Sequence, residues 1–307
     1  MTDTTRAGFV ALIGEPNAGK STLLNRMVGA KVSIVTHKVQ TTRARIRGIA
    51  IGGESGEAQL VFIDTPGLFK PRRRLDRAMV AAAWTGAGDA DIVVLMIEAH
   101  RGISEGVKAI LASLEERTGG GKVALAINKI DKVKTEALLA LTSEMNERYP
   151  FAETFMISAE RGHGVKALKT WLAGEVPAGP WLYPEDQIAD LPMRNIAAEI
   201  TREKLTLRLH QELPYELTVE TENWEERPDG SCRIDQVVYV ARDGHKGIVL
   251  GKKGETAKAV NTAVRLELEE FLGRRVHLFV QIKVRKNWLE EKERYSEMGL
   301  EFKDGNA

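Results

Sequence analysis

Two glycine-framed loops in this chain carry lysines where a phosphate could sit: GEPNAGKS at 14–21 and GKKG at 251–254. The first matches G-x-x-x-x-G-K-[ST] and lies between the apolar run FVALIG and the amphipathic run STLLNRMVG, the strand-to-helix setting such a loop requires. Backbone N–H groups of Gly14, Glu15, Asn17, Ala18 and Gly19, with Pro16 shaping the loop between them, would curl round a β-phosphate. Lys20 would set a cation against the β and γ phosphates, and Ser21, with Thr22 behind it, would offer a hydroxyl to Mg²⁺ at a helix N-terminus. That is chemistry for a nucleoside triphosphate.

A phosphate loop does not choose the base; NKID at 128–131, after the run KVALAI, can. The Asp131 carboxylate accepts hydrogen bonds from the ring N–H and the exocyclic amine of guanine, two donors that adenine lacks, while Asn128 and Lys129 would support the loop and cover the base. SAERG at 158–162 would bring the backbone N–H of Ala159 to the guanine carbonyl, with Ser158 also at the nucleotide. DTPG at 64–67 ends the run AQLVFI, so that Asp64 can hold a Mg²⁺-bound water and the amide of Gly67, beyond Thr65 and Pro66, can touch the γ-phosphate. Thr42, in KVQTTRARIRG, is the expected switch threonine on Mg²⁺, with Thr41 its close rival. The catalytic candidates are therefore Lys20, Thr42 and Gly67. Leu68 follows the DTPG glycine and brings no polar atom to orient a water. The arginines 72–74 just beyond it read as a solvated basic loop, with an arginine finger as the alternative.

The second loop has the spacing G-x-x-G and no serine or threonine after its lysine, so it is not a second phosphate loop of the same kind. Gly251, Lys252, Lys253 and Gly254 follow the apolar IVL and precede a long amphipathic run, the setting of a KH loop that grips single-stranded RNA by its backbone. Ile248, Val249, Val260 and Val264 are the expected apolar floor for the bases. From 242 to 286 there are eleven basic and five acidic side chains, a local excess of +6 in a chain whose formal net charge is +1. Lys258, Lys283 and Arg285 from this stretch are expected to join the RNA surface.

The elements that must position these loops fall into two sets. Five strand-like runs (FVALIG, AQLVFID, DIVVLMIEA, KVALAIN, TFMIS) alternate with five runs of helical spacing over 1–175, which predicts an α/β domain with a doubly wound, mostly parallel sheet. Four prolines in GEVPAGPWLYPEDQIADLP place a linker at 176–192. Over 193–307 the order helix, strand, strand, GxxG loop, long helix, strand predicts a small α+β domain of type II KH order. The 307 residues suit two domains, and the single cysteine, Cys232, excludes an intramolecular disulfide and fits a reducing cytoplasm. No run of about twenty apolar residues occurs, so a membrane span is not expected, and peripheral attachment stays open.

The wording GEPNAGKS, QTTR, DTPGL, NKID and SAE, joined to a C-terminal KH order, resembles the Era family of GTPases over nearly the whole chain. The resemblance implies binding and hydrolysis of GTP to GDP with Mg²⁺. It further implies binding near the 3′ end of small-subunit ribosomal RNA during assembly of the 30S subunit, in the cytoplasm with some contact with the inner membrane. It also implies that the Asn17 side-chain oxygen, with carbonyls of segment 36–42, coordinates K⁺. One rival is a regulatory GTPase that switches a protein or membrane partner through its KH-like domain. Another, a tRNA-modifying GTPase, would need a helical insertion and a C-terminal cysteine, and neither occurs.

Overall fold

The computed structural model describes residues 5–36, 42, 46–71, 73–118, 121–190, 192–209, 213–286, 288, 291–292, 295, 298 and 300–302. The chain forms two compact units, one of Met1–Ser33, Thr42–Asp190 and Met298–Ala307, the other of Ile34–Thr41 and Leu191–Glu297. Among the residues singled out from sequence, Thr41 and the rest of 37–41 in the segment expected to meet K⁺, together with Arg72, lie outside the described residues, as does most of the terminal helical stretch.

The first unit is built on β1 (Arg6–Gly14), α1 (Lys20–Val28), β2 (Ile46–Gly52), β3 (Ala58–Asp64), α2 (Arg74–Gly88), β4 (Ile92–Glu98), α3 (Glu105–Thr118), β5 (Lys122–Asn128), α4 (Thr135–Arg148), β6 (Glu153–Met156) and α5 (Val165–Glu175). Its six strands run in the order β2-β3-β1-β4-β5-β6, and all neighbours are parallel except β2 with β3. β3 and β4 are buried along their full length, as strands covered by helices on both faces must be. Because the parallel strands share a direction, β1, β3, β4 and β5 all end at one edge, and every loop of the expected nucleotide site leaves from that edge.

The stretch 176–192, expected as a linker, is tied to this unit as far as Asp190. Ala7 N–H donates to Pro177 O at 3.0 Å, Ile49 N–H to Ile188 O at 2.9 Å and Asp190 N–H to Arg47 O at 3.0 Å. The fully buried Gln59 donates to Tyr183 O and accepts from the Leu182 and Tyr183 amides, all within 3.0 Å. Prolines broke regular structure here without loosening the chain, since backbone groups outside a helix can still pair with a sheet edge. A fragment ending at 190 should therefore melt above one ending at 175. With net contributions of about 1 kcal/mol per hydrogen bond and 2–4 °C per kcal/mol at roughly this size, the six bonds named imply a gap in a thermal scan of about 12–24 °C.

The second unit comprises α6 (Met193–Arg208), β7 (Leu217–Glu226), β8 (Cys232–Val240), α7 (Asp243–Leu250), α8 (Glu255–Leu272) and β9 (Val276–Val284). β7 pairs antiparallel with β8 across the turn at Arg227–Ser231, and β8 pairs parallel with β9. α6 and α8 cover one face of this sheet, and Ile196, Ile200, Val238, Val264 and Leu268 pack between them. Cys232, the first residue of β8, has no exposed surface, and its burial pushes the thiol above its ordinary range. No helix among the described residues is long and apolar enough to cross a membrane.

Candidate functional site

Lys20 opens α1 and is 6% exposed; its ammonium donates to the carbonyls of Gly14 and Glu15, each at 3.0 Å. Burial lowers its pKa to about 8, against the pull of Asp64, Glu15 and Glu98. Two of its three donors serve the loop, which leaves one for a phosphate. Gly19, the residue before it, sits at φ 99°, and a Cβ there would lie 2.2 Å from Asn128 Nδ2, so only glycine lets the phosphate loop meet the NKID loop.

Ser21 and Thr42 converge on Asp64, the last residue of β3. Ser21 Oγ donates to Asp64 Oδ2 at 2.8 Å, Thr42 Oγ1 lies 3.0 Å from Ser21 Oγ and 3.3 Å from Asp64 Oδ2, and Ser33 Oγ donates to the same oxygen at 2.7 Å. Ser33 was missed by sequence reasoning because it belongs to no motif. Asp64 is fully buried, and this burial raises its pKa despite the hydroxyls and Lys20. Its Oδ1 is buried with no partner among the described residues. An orphaned carboxylate oxygen beside three hydroxyls suits a hard divalent cation.

Thr65 Oγ1 donates to Leu12 O at 2.6 Å, and Gly67 approaches the phosphate loop so closely that a Cβ would fall 2.8 Å from Pro16 N. Leu68 is 4% exposed, and its N–H donates to Gly14 O at 2.9 Å. It is packed in the core, so the missing water-orienting side chain is replaced by an anchor between the two loops. Arg73 caps α2, where its N–H donates to Asp76 Oδ2, and the Arg74 guanidinium lies 4.9 Å from the ring centre of Phe302.

The NKID and SAERG loops and the phosphate loop close as a ring. Asn128 Nδ2 donates to Ala18 O at 2.8 Å and Asn128 Oδ1 accepts from Ala159 N–H at 2.9 Å, which binds NKID to the phosphate loop on one side and to SAERG on the other. The Ala159 amide, expected to face a guanine carbonyl, is thus given to Asn128. Lys129, at φ 64°, donates through Nζ to Asn17 O at 2.7 Å and to Glu98 Oε2 at 2.5 Å. Asp131 Oδ1 accepts from Ser158 Oγ at 2.7 Å, and that hydrogen bond foremost holds the carboxyl below its usual range. Asp131 is therefore an ionised acceptor with one oxygen held by Ser158.

In the second unit α7 ends at Gly251, and Lys252–Gly254 form one 3₁₀ turn before α8. Gly251 and Gly254 lie at φ 74° and 79°, and Lys253 adopts the left-handed region at φ 51°. The two lysines are exposed, as is Lys258 one turn into α8. Beside the loop a groove of about 300 Å³ is lined by Val249, Lys258, Val260 and Asn261 on the helical side and by Val280 and Ile282 of β9. Of the residues expected to floor the base site, Val249 and Val260 line this groove, Val264 is buried, and Ile248, 57% exposed, is not among the lining residues. Lys283 and Arg285 do not line this groove. Alternation along β9 turns Val280 and Ile282 to the groove and Lys283 to the opposite face, where its Nζ meets Glu222 Oε1 at 3.2 Å, while Arg285 pairs with Glu291 Oε1 at 2.8 Å. The charge count along the chain could not see this pairing.

A parallel sheet carrying a phosphate loop, a DTPG loop and an NKID loop, followed by a GxxG loop on an αββααβ unit, defines a P-loop GTPase joined to a KH domain. Residues 9–129 match a family model described as "50S ribosome-binding GTPase", and residues 212–289 match a KH domain model. The chain is 77% identical over 99% of its length to GTPase Era of Dinoroseobacter shibae, covering 98% of that protein, and 62% identical over 98% to GTPase Era of Mesorhizobium japonicum, covering 96%. Among solved structures it is similar to Era in complex with MgGDPNP and nucleotides 1506-1542 of 16S ribosomal RNA. The TM-score is 0.90 at 35% identity, over 96% of this chain and 99% of that one. A single-residue variant of Aquifex aeolicus Era bound to GDP.AlF4- matches with the same figures. The chain belongs to the Era family of GTPases.

Proposed function

We propose that this protein binds GTP with Mg²⁺ in its first unit, hydrolyses it to GDP and phosphate, and holds the 3′ region of small-subunit ribosomal RNA in its second unit during assembly of the 30S subunit. The observation that carries this reading is the match, over both units, to a relative solved with a GTP analogue, Mg²⁺ and 16S RNA together. One family description speaks of the 50S subunit, but it concerns residues 9–129 alone, so the whole-chain match weighs more. Ser21, Thr42 and Asp64 would hold Mg²⁺, the two hydroxyls as ligands and the carboxylate through a bound water. Bound there, the ion supplies positive charge against the β and γ oxygens. The third Lys20 donor and the Gly67 amide face the transferring phosphoryl group, and residues 14–22 wrap the phosphates. Asn128, Lys129, Asp131, Ser158 and Ala159 enclose the guanine. Lys252, Lys253 and Lys258 hold RNA phosphates beside the apolar groove. Peripheral contact with the inner membrane is part of the same family reading, and flotation with anionic vesicles tests it. The direct test of the whole is filter binding of a 16S 3′-end oligonucleotide against a scrambled one: salt-sensitive, sequence-dependent binding is expected, whereas a GTPase that switches a protein partner would show no preference.

Hydrolysis without a glutamine is assigned to a monovalent cation at Asn17. Charge held between the β and γ phosphates lowers the barrier, and losing one well-placed electrostatic donor costs about 10²-fold in rate. Asn17 adopts φ 68°, a left-handed conformation that turns this loop residue out of regular geometry. Turnover at equal ionic strength should rise in K⁺ and Rb⁺ and stay low in Na⁺, and Asn17→Ala should respond to none of the three. Equal rates in K⁺ and Na⁺ for the parent would remove the cation from the mechanism.

A further inference from the structure

The chain's described residues include three non-glycine positions in the left-handed region, Asn17, Lys129 and Lys253. Two of the three are joined by a single ammonium: Lys129 Nζ donates to Asn17 O at 2.7 Å. Such backbone conformations are unfavourable for residues with a Cβ and persist where surrounding groups over-determine them. The group that fixes this ammonium is Glu98, whose Oε2 accepts from Lys129 Nζ at 2.5 Å.

Glu98 belongs to no nucleotide motif. It is the last residue of β4, in register with Asn128 of β5, and the Ala99 N–H donates to Asn128 O at 2.8 Å. The residue is 7% exposed, and its other oxygen accepts from Arg101 Nη1 at 3.2 Å, with His100 Nε2 3.6 Å from Oε2. A buried carboxylate here neutralises two cations, Lys129 and Arg101, that would otherwise repel each other in a partly desolvated place. The turn that follows β4 does not need this side chain, because the Arg101 and Gly102 amides donate to the Glu98 backbone carbonyl. The carboxylate therefore has a task apart from shaping its own loop.

We infer that Glu98 is a positioning residue for guanine nucleotide binding: its carboxylate fixes the Lys129 ammonium, and through it holds the NKID loop and the Asn17 carbonyl of the phosphate loop in one geometry. This rests on the reading of NKID as the guanine loop. Glu98 touches neither base nor phosphate in this account; it acts through Lys129, so its effect must vanish when Lys129 can no longer carry it.

The experiment measures dissociation of a fluorescent N-methylanthraniloyl GDP from the full-length protein, with thermal unfolding alongside. Glu98→Gln keeps size and polarity but removes the charge, and should speed release about 10- to 100-fold, the range of coupling between groups in one ion network. Glu98→Asp should fall between. In a Lys129→Met background the same Glu98→Gln change should add less than about twofold, since the link is already cut. Release at the parental rate in Glu98→Gln would overturn the inference, and so would an undiminished effect in the Lys129→Met background, which marks a merely structural carboxylate. If the parent holds ADP as tightly as GDP, the guanine reading itself falls and the inference falls with it, a result seen before any variant is compared.

Discussion

Asp131→Asn should lose GTP and gain xanthosine triphosphate. The Asp131 carboxylate keeps one oxygen on Ser158 Oγ at 2.7 Å, which leaves the remaining lone pairs for the two guanine donors. In the variant the amide oxygen retains the Ser158 bond, so the NH₂ group turns to the base. There it opposes the exocyclic amine of guanine but can donate to the C2 carbonyl of xanthine. Hydrogen bonds to a charged group are worth about 1.5–3 kcal/mol each, and the variant loses one and sets two donors against each other, so GTP affinity should fall about 10²- to 10³-fold. Equilibrium titration of both nucleotides against parent and variant decides it; unchanged GTP affinity would show that the base is read elsewhere.

Exchanging Lys252 and Lys253 for aspartate reverses the charge on the exposed turn that starts α8 and should weaken RNA binding severely while GTP affinity stays within a factor of a few. Each lysine that neutralises a phosphate contributes to a salt-dependent affinity, and the exchange replaces attraction by repulsion at two adjacent contacts. A loss of about 10²-fold or more at 0.1 M salt is expected for the 16S 3′-end oligonucleotide. The control is Lys283→Asp with Arg285→Asp. Those side chains already pair with Glu222 and Glu291, so the second double change should weaken RNA binding far less. Equal losses in the two would return Lys283 and Arg285 to the RNA surface.

Much of this was legible because the chemistry sits in contiguous residues. A phosphate loop needs its glycines, lysine and serine within eight positions, and it needs a strand before and a helix after, so GEPNAGKS announces its own setting. NKID and DTPG likewise end strands whose apolar runs are plain. What was hidden lies across the chain. β2, with glycines at 48 and 52, reads like the tail of the loop before it, and only pairing with β3 makes Ile46–Gly52 a strand. α7 was passed over because GIVL reads as an apolar run of strand length, and eight residues are too few for helical periodicity to stand out. Ser33 and Glu98 reach their partners 31 residues away in sequence, and no local pattern foretells a contact of that kind. The pairing of Lys283 with Glu222 and of Arg285 with Glu291 escapes a charge count that is not divided by face.

Cys232 has a use that its chemistry alone would not suggest. The chain's one thiol is sealed beneath the sheet of the second unit, so a thiol reagent in solution can reach it only when that sheet opens. Its labelling rate is a built-in clock for local unfolding of the KH fold, readable by mass without any added probe. A cysteine introduced on the surface of either unit would, for the same reason, take a dye selectively in the folded protein, with the native thiol left in place.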